Sequence, residues 1–196
     1  MIKVDRTNKS LALQVLISSF RDNPGVLWVI KKDNKIEERI AVLCNYCLTV
    51  AMEKEGAFIT SDGKGVALIF KSWKKQQLTN WLLGYAKLWS KCIGWNRPLT
   101  IINREAEITK RRPKKKHLYF WMLAVRDRSE GLNPIKEIRD FVYEYSRKEQ
   151  LPIFAETAAK NMLPLYKRYG FSVYDQWEHE GLNVWFIERP FDPICT

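Results

Sequence analysis

Residues Leu118 to Val125, reading LYFWMLAV, are eight consecutive residues without a charge. A run this short and this apolar has the character of a β-strand buried on both faces, which requires layers of structure above and below it. After it comes a polar turn, Arg126 to Asn133. Pro134 then occupies a first helical position behind Asn133 as N-cap, and Ile135, Ile138, Phe141, Val142 and Tyr145 form the apolar stripe of an amphipathic helix. Pro152 to Glu156 reads as a second buried strand. Strand, helix and strand at this spacing predict a parallel pair joined by a right-handed crossover.

The chain can cover such a pair. It has 196 residues, 46% hydrophobic and 13% aromatic with eight Trp, so a single domain over residues 1–196 is expected and wholesale disorder is excluded. Ser10 to Phe20 reads as a helix closed by Asn23-Pro24-Gly25, and a longer helix is expected from about Lys35 to Lys54. Ala57 to Thr60 and Gly65 to Phe70 flank a glycine-containing turn, the pattern of an antiparallel hairpin. Leu78, Trp81, Leu82, Tyr85, Trp89 and Cys92 lie at helical spacing. A helix from Ala158 to Tyr169 stops at Gly170. Ser172 to Glu178 and Leu182 to Arg189 form a closing hairpin around Glu180-Gly181.

The longest uncharged stretch, Ile40 to Met52, has thirteen residues, short of the roughly 18–20 that a spanning helix needs, so no membrane partner is expected. The N-terminus meets charge at once and lacks an apolar leader, which points to a cytoplasmic protein. Cys44 and Cys47 form a C-x-x-C, but they sit inside an apolar helical pattern and no second pair stands at short spacing. They read as small core residues, and no metal site is expected.

The net charge is +11, and six of the positive charges crowd into Lys110 to Lys116. A basic loop near 104–117 is expected, because Pro113 and mutual repulsion oppose helix there. Without interleaved aromatic residues the run is weak evidence for nucleic acid, which is disfavoured as a partner.

The second half of the chain resembles the GNAT superfamily of acyl-CoA-dependent N-acetyltransferases. The resemblance rests on the strand ending Leu123-Ala124-Val125, the glycine-containing loop, the helix, the strand Ile153 to Thr157, and above all Pro164-Leu165-Tyr166-Lys167-Arg168-Tyr169-Gly170-Phe171. It implies an α/β (α+β) fold with a strongly twisted mixed central sheet and helices on both faces. It further implies transfer of an acetyl group from acetyl-CoA, as cosubstrate, to a primary amine by direct attack. The acceptor would be a small-molecule or peptide amine, and the closing hairpin offers an edge for pairing as a homodimer.

The resemblance also assigns residues. Backbone groups along Leu123, Ala124 and Val125 would hold the pantetheine arm and polarise the thioester carbonyl. Tyr166 matches the tyrosine that protonates the departing thiolate. The family's pyrophosphate loop follows Q/R-x-x-G-x-G/A, whereas Arg128-Ser129-Glu130-Gly131-Leu132-Asn133 gives R-x-x-G-x-N. Aligned by distance from Val125, Glu130 replaces the Gln, Asn133 and Ile135 replace glycines, and Gly131 alone remains. The family's frequent Asn seven residues before the tyrosine falls on Ala159, with Asn161 a candidate for its place. Glu156 and His117, at strand ends, are the candidates for a general base, and His179 beside the closing turn reads as exposed. Two other functions compete with acetyl transfer. One is a GNAT-fold binding or regulatory module whose altered loop no longer catalyses, and the other is a basic nucleic-acid binder.

Overall fold

A computed structural model describes residues 1–75, 84–94, 97–126 and 133–191. The elements are β1 (Ile2–Lys3), α1 (Lys9–Phe20), α2 (Pro24–Val29), α3 (Ile36–Glu53), β2 (Ala57–Ile59), β3 (Gly65–Lys71), α4 (Pro98–Arg111), β4 (Leu118–Val125), α5 (Asn133–Glu149), β5 (Ile153–Thr157), α6 (Leu163–Arg168), β6 (Ser172–His179) and β7 (Leu182–Arg189). Residues 84–88 are helical and run into a π-helical turn, Trp89–Ile93. That is the described part of the helix expected from Leu78 to Cys92; Leu78, Trp81 and Leu82 lie outside the described residues.

The strands form one mixed sheet in the order β1-β2-β3-β4-β5-β7-β6, antiparallel except for β4 and β5. One face carries α1, α2 and α3 against Val66, Leu68, Phe70, Tyr119, Met122 and Ala124. The other carries α5, whose Ile138 and Val142 pack on Ala67, Ile69, Leu118, Phe120 and Ile153. The expected helices on both faces are therefore present, with LYFWMLAV in the middle of the sheet. Glu180 and Gly181 turn β6 into β7 with φ of 48° and 74°, both in the left-handed region that a two-residue hairpin turn demands. Cys44, Cys47 and Cys92 are free thiols in the core. Burial pushes Cys44 and Cys92 up to about 12, in keeping with a packing role. No helix among the described residues is long and apolar enough to cross a membrane.

Three expectations need correction. The first half of the expected basic loop is helix α4, with Pro98 in its first turn. Its inward stripe is Ile101, Arg104 and Ile108, and a buried Arg at the middle position hides the apolar repeat. Arg112 is extended, with ψ of 142°, as a residue before proline should be. Second, Asn23-Pro24-Gly25 opens a helix instead of merely closing one, since Asn23 Oδ1 accepts from the Val26 N–H at 3.1 Å and caps α2. Third, the helix expected from Ala158 begins later. A 3₁₀ turn, Lys160–Met162, precedes α6, and Pro164 sits in the first turn of α6, where a missing N–H costs nothing.

Candidate active site

The site arises from an irregularity in β4. Leu68 pairs with Met122 and the next residue, Ile69, pairs with Phe120, so one extra residue is inserted into β4 opposite Ile69. This β-bulge breaks the alternation of faces. Trp121 and Met122, though consecutive, both pack with the α1–α3 cluster, while Phe120 and Leu123 belong to the α5 cluster. Beyond the bulge β4 bends away from β5. The two strands pair only at Leu118↔Ile153 and Tyr119↔Phe154, although β4 continues to Val125 and β5 to Thr157.

The parting leaves backbone groups of β4 without a strand partner. Arg126 N–H donates to Lys64 O at 2.8 Å, which fixes the hydrogen-bonding phase of the β3–β4 ladder. In that phase Leu123 and Val125 turn their N–H and C=O away from β3 and toward the gap. Both residues line a cleft of about 960 Å³. The Val125 N–H donates to Ser19 Oγ at 3.3 Å, and Ser19, at the end of α1, lines the cleft as well. Nothing in the sequence motif marks Ser19. Ala124 is fully buried in the core, so its side chain serves packing.

At the point where the strands part, three side chains form a closed network. Arg112 Nε donates to Glu156 Oε1 at 2.5 Å, and its Nη2 donates to the Tyr119 hydroxyl at 2.7 Å. The Tyr119 hydroxyl donates to Glu156 Oε2 at 2.6 Å, and the Arg112 guanidinium lies 4.3 Å from the centre of the Tyr119 ring. Burial, reinforced by the adjacent carboxylate, holds the Tyr119 phenol well above its ordinary pKa. Burial works against the charge on Arg112, but Tyr119 and Glu156 more than offset it and keep the guanidinium cationic. Sequence reading selected Glu156 alone. Tyr119 looked like one more apolar strand residue and Arg112 like part of a basic run.

Tyr166 stands in α6 on another wall of the cleft, with Ala159, Asn161 and Met162 nearby in the same lining. Its ring packs edge-on against Phe171 at 5.6 Å, so it supports α6 and faces the cleft at once. The remaining candidates fall elsewhere. Asn133, at the start of α5, borders a separate shallow depression with Met1 and Glu137. Arg128, Glu130, Gly131 and Leu132 lie outside the described residues. His117 does not line the cleft. It is 4% exposed, its Nδ1 lies 2.8 Å from Lys115 O, and burial lowers its pKa. His179 is not simply exposed either, because its ring stacks on Trp177 at 4.9 Å and meets Trp28 at 5.8 Å.

Helix α4 lies along the cleft and contributes Ile101, Ile102, Arg104, Glu105 and Ile108. It is held by arginines at seven-residue spacing. Arg97 and Arg104 stand 4.8 and 5.0 Å from the Trp28 ring, and Arg111 stands 5.7 Å from Trp177 while donating to Asp175 Oδ2 at 2.8 Å. The rest of the cleft wall is aromatic and aliphatic, including Phe20, Tyr46, Tyr85, Trp89 and Trp121. No group of acidic, His and Cys side chains suited to a metal occurs among the described residues.

No known protein-family profile matches the sequence. Solved structures do match the fold over nearly the whole chain. The Corynebacterium glutamicum protein described as histone acetyltransferase HPA2 and related acetyltransferase superposes with a TM-score of 0.67 at 14% identity, covering 100% of this chain and 97% of its own. Arylalkylamine N-acetyltransferase 2 from Aedes aegypti superposes at 0.64 with 11% identity over 97% of each chain. A chain of the NatC complex bound to Gag peptide and CoA superposes at 0.51 with 12% identity, over 97% of this chain and 96% of its own. At such identities the likeness is one of fold. A bulged β4 that parts from a parallel β5, in a seven-stranded sheet matched end to end by acetyltransferases, gives this chain the GNAT fold.

Proposed function

We propose that this protein is an acetyl-CoA-dependent N-acetyltransferase that acts on a primary amine by direct attack. The observation that carries the reading is the parting of β4 and β5 after Tyr119 and Phe154. It turns backbone polar groups of Leu123 and Val125 into a cleft that Tyr166 also lines. These residues fit the cosubstrate. An extended amide-bearing arm can complete the strand ladder that β5 leaves open, through the N–H and C=O of Leu123 and the C=O of Val125, the Val125 N–H being already donated to Ser19 Oγ. Acetyl-CoA would supply the activated acyl group. The chain's own part is to hold that arm, to place an N–H where charge develops on the carbonyl oxygen, and to deliver a proton to the departing sulfur from the Tyr166 hydroxyl. Glu156 is the carboxylate placed to receive the proton of the amine, directly or through Tyr119, which already bridges it to Arg112. Glycines are scarce in the loop from Arg128 to Asn133, so phosphate contacts are expected to contribute less here than the strand contacts do.

The test is thermal. The melting temperature is followed while acetyl-CoA, CoA and ATP are titrated at fixed protein concentration and moderate salt. Ligand at about 100 times its dissociation constant stabilises the native state by roughly 2.7 kcal/mol. A rise with acetyl-CoA and CoA but not ATP, followed by one thiol released per amine acetylated, is the expected result. The absence of any rise at millimolar CoA overturns the reading in favour of a GNAT-fold binding module.

A further inference from the structure

Around the Arg112 network the cleft carries more positive than negative charge. Its cations are Lys54, Arg104 and Arg112 and its carboxylates are Glu105 and Glu156; a third carboxylate, Asp22, belongs to the α1–α2 link, three residues after the Ser19 that binds Val125. Glu156 is engaged through both carboxylate oxygens, whereas Glu105, 48% exposed, is engaged through one. Glu156 accepts from Arg112 and Tyr119, and Glu105 accepts from Arg104 Nη1 at 2.9 Å. Lys54, at the end of α3, has no carboxylate partner among the described residues. Its ammonium lies over the Phe70 ring at 4.4 Å, and Phe70 meets Tyr119 edge-on at 5.5 Å, so it stands beside the Arg112 network. Arg104 is only 8% exposed, and its Nε has no acceptor among the described residues. Burial and the neighbouring Arg112 both act against the charge of Lys54.

Beside these cations the cleft leaves no carboxylate oxygen of Glu156 free for a second ammonium group, Asp22 standing apart on the α1–α2 link, and a diamine or polyamine reaching toward the network would place its far cation against Lys54 or Arg112. An anion there is favoured. We propose, building on the acetyltransferase reading, that the acceptor is an amine bearing a carboxylate close to its amino group, an amino acid or related amino-carboxylate, with the carboxylate held by Lys54. The same positive field favours the neutral form of the amine, which is the nucleophilic one. The nitrogen lone pair attacks the thioester carbonyl carbon, the C–S bond breaks, the thiolate takes a proton, and the amine proton passes to Glu156 or solvent. The aromatic wall of Phe20, Tyr46, Tyr85, Trp89 and Trp121 favours a large apolar side chain on the acceptor.

The experiment compares matched pairs that differ only in the carboxylate: tryptophan with tryptamine, lysine with cadaverine, and arginine with agmatine, each with acetyl-CoA and thiol release as readout. The expected result is a kcat/KM at least 10-fold higher for the carboxylate-bearing member of a pair. Lys54→Met should bring that ratio toward one, and Lys54→Arg should keep it, both checked for an intact fold by circular dichroism. Faster release with the decarboxylated amines, or a ratio indifferent to Lys54→Met, overturns the proposal and leaves the transferase reading standing. No thiol release from any member of any pair, while CoA still raises the melting temperature, overturns the proposal together with the catalytic reading.

Discussion

The Tyr119 hydroxyl donates to Glu156 Oε2 across 2.6 Å, joining β4 to β5 where their backbone pairing has just ended. A side-chain link thus takes over from the ladder, with Arg112 donating to both partners. The Glu156 and Arg112 side chains are only 12% and 25% exposed, so the pair is poorly screened. Arg112→Met should cost roughly 3 kcal/mol, because it leaves a carboxylate without its cation in a largely dry place. Tyr119→Phe should cost about 1–2 kcal/mol. The double variant should fall short of the sum by about 0.5 kcal/mol or more, since both changes break one network. Urea unfolding of the four proteins measures all three quantities.

Tyr166→Phe separates packing from chemistry. The phenyl ring keeps the edge-on contact with Phe171, so the fold should be retained, as circular dichroism would show. Loss of the proton donor should lower kcat by roughly 100-fold or more, with KM for acetyl-CoA little changed. A kcat within twofold of the parent protein would leave Tyr166 a purely structural residue of α6.

What could be read from the sequence follows from which signals are local. The uncharged run Leu118–Val125 announces a central strand because burial on both faces demands it, and Glu180-Gly181 announces a turn because of its backbone needs. The bulge between Phe120 and Met122 left no trace, since every residue of the run is apolar and any register satisfies it. The role of Arg112 depends on a partner 44 positions away, and that of Ser19 on one 106 positions away. Helix α4 escaped notice for another reason. Its inward stripe contains Arg104 and its clamps are Arg97, Arg104 and Arg111, so a search for apolar periodicity finds only a basic stretch.

That arrangement yields a prediction about α4. Trp28 lies against two guanidinium groups, those of Arg97 and Arg104, and its backbone carbonyl accepts from Arg97 Nη1 at 2.8 Å. Trp28→Leu keeps the backbone acceptor and apolar bulk but removes both cation–π contacts, each worth about 0.5–2 kcal/mol. Global stability should drop by about 1–3 kcal/mol. Amide hydrogen exchange should quicken across Pro98–Arg111 well before it does in β4. Equal acceleration in both elements would mean that the arginine clamps do not hold α4 separately from the rest.

The last prediction concerns acid. Arg39, at the start of α3, donates from Nε to Asp33 Oδ1 at 2.9 Å and from Nη1 to Lys91 O at 2.7 Å, tying α3 to the π-helical turn. A second bond from Arg39 Nη2 reaches Asp33 Oδ2. The Arg39 hydrogen bonds, chiefly, hold the Asp33 carboxyl well below its usual range, against the effect of burial. A carboxylate whose pKa is depressed by folding stabilises the native state above its unfolded value, near 4. That contribution is lost as pH falls through the folded value. Asp33→Asn should therefore lower stability at pH 7 and flatten its dependence on pH below about 4, so that the two unfolding curves converge as acid is added. The measurement is the urea midpoint of both proteins between pH 7 and pH 3. Parallel curves over that whole range would show that the Asp33–Arg39 bond contributes nothing that depends on charge.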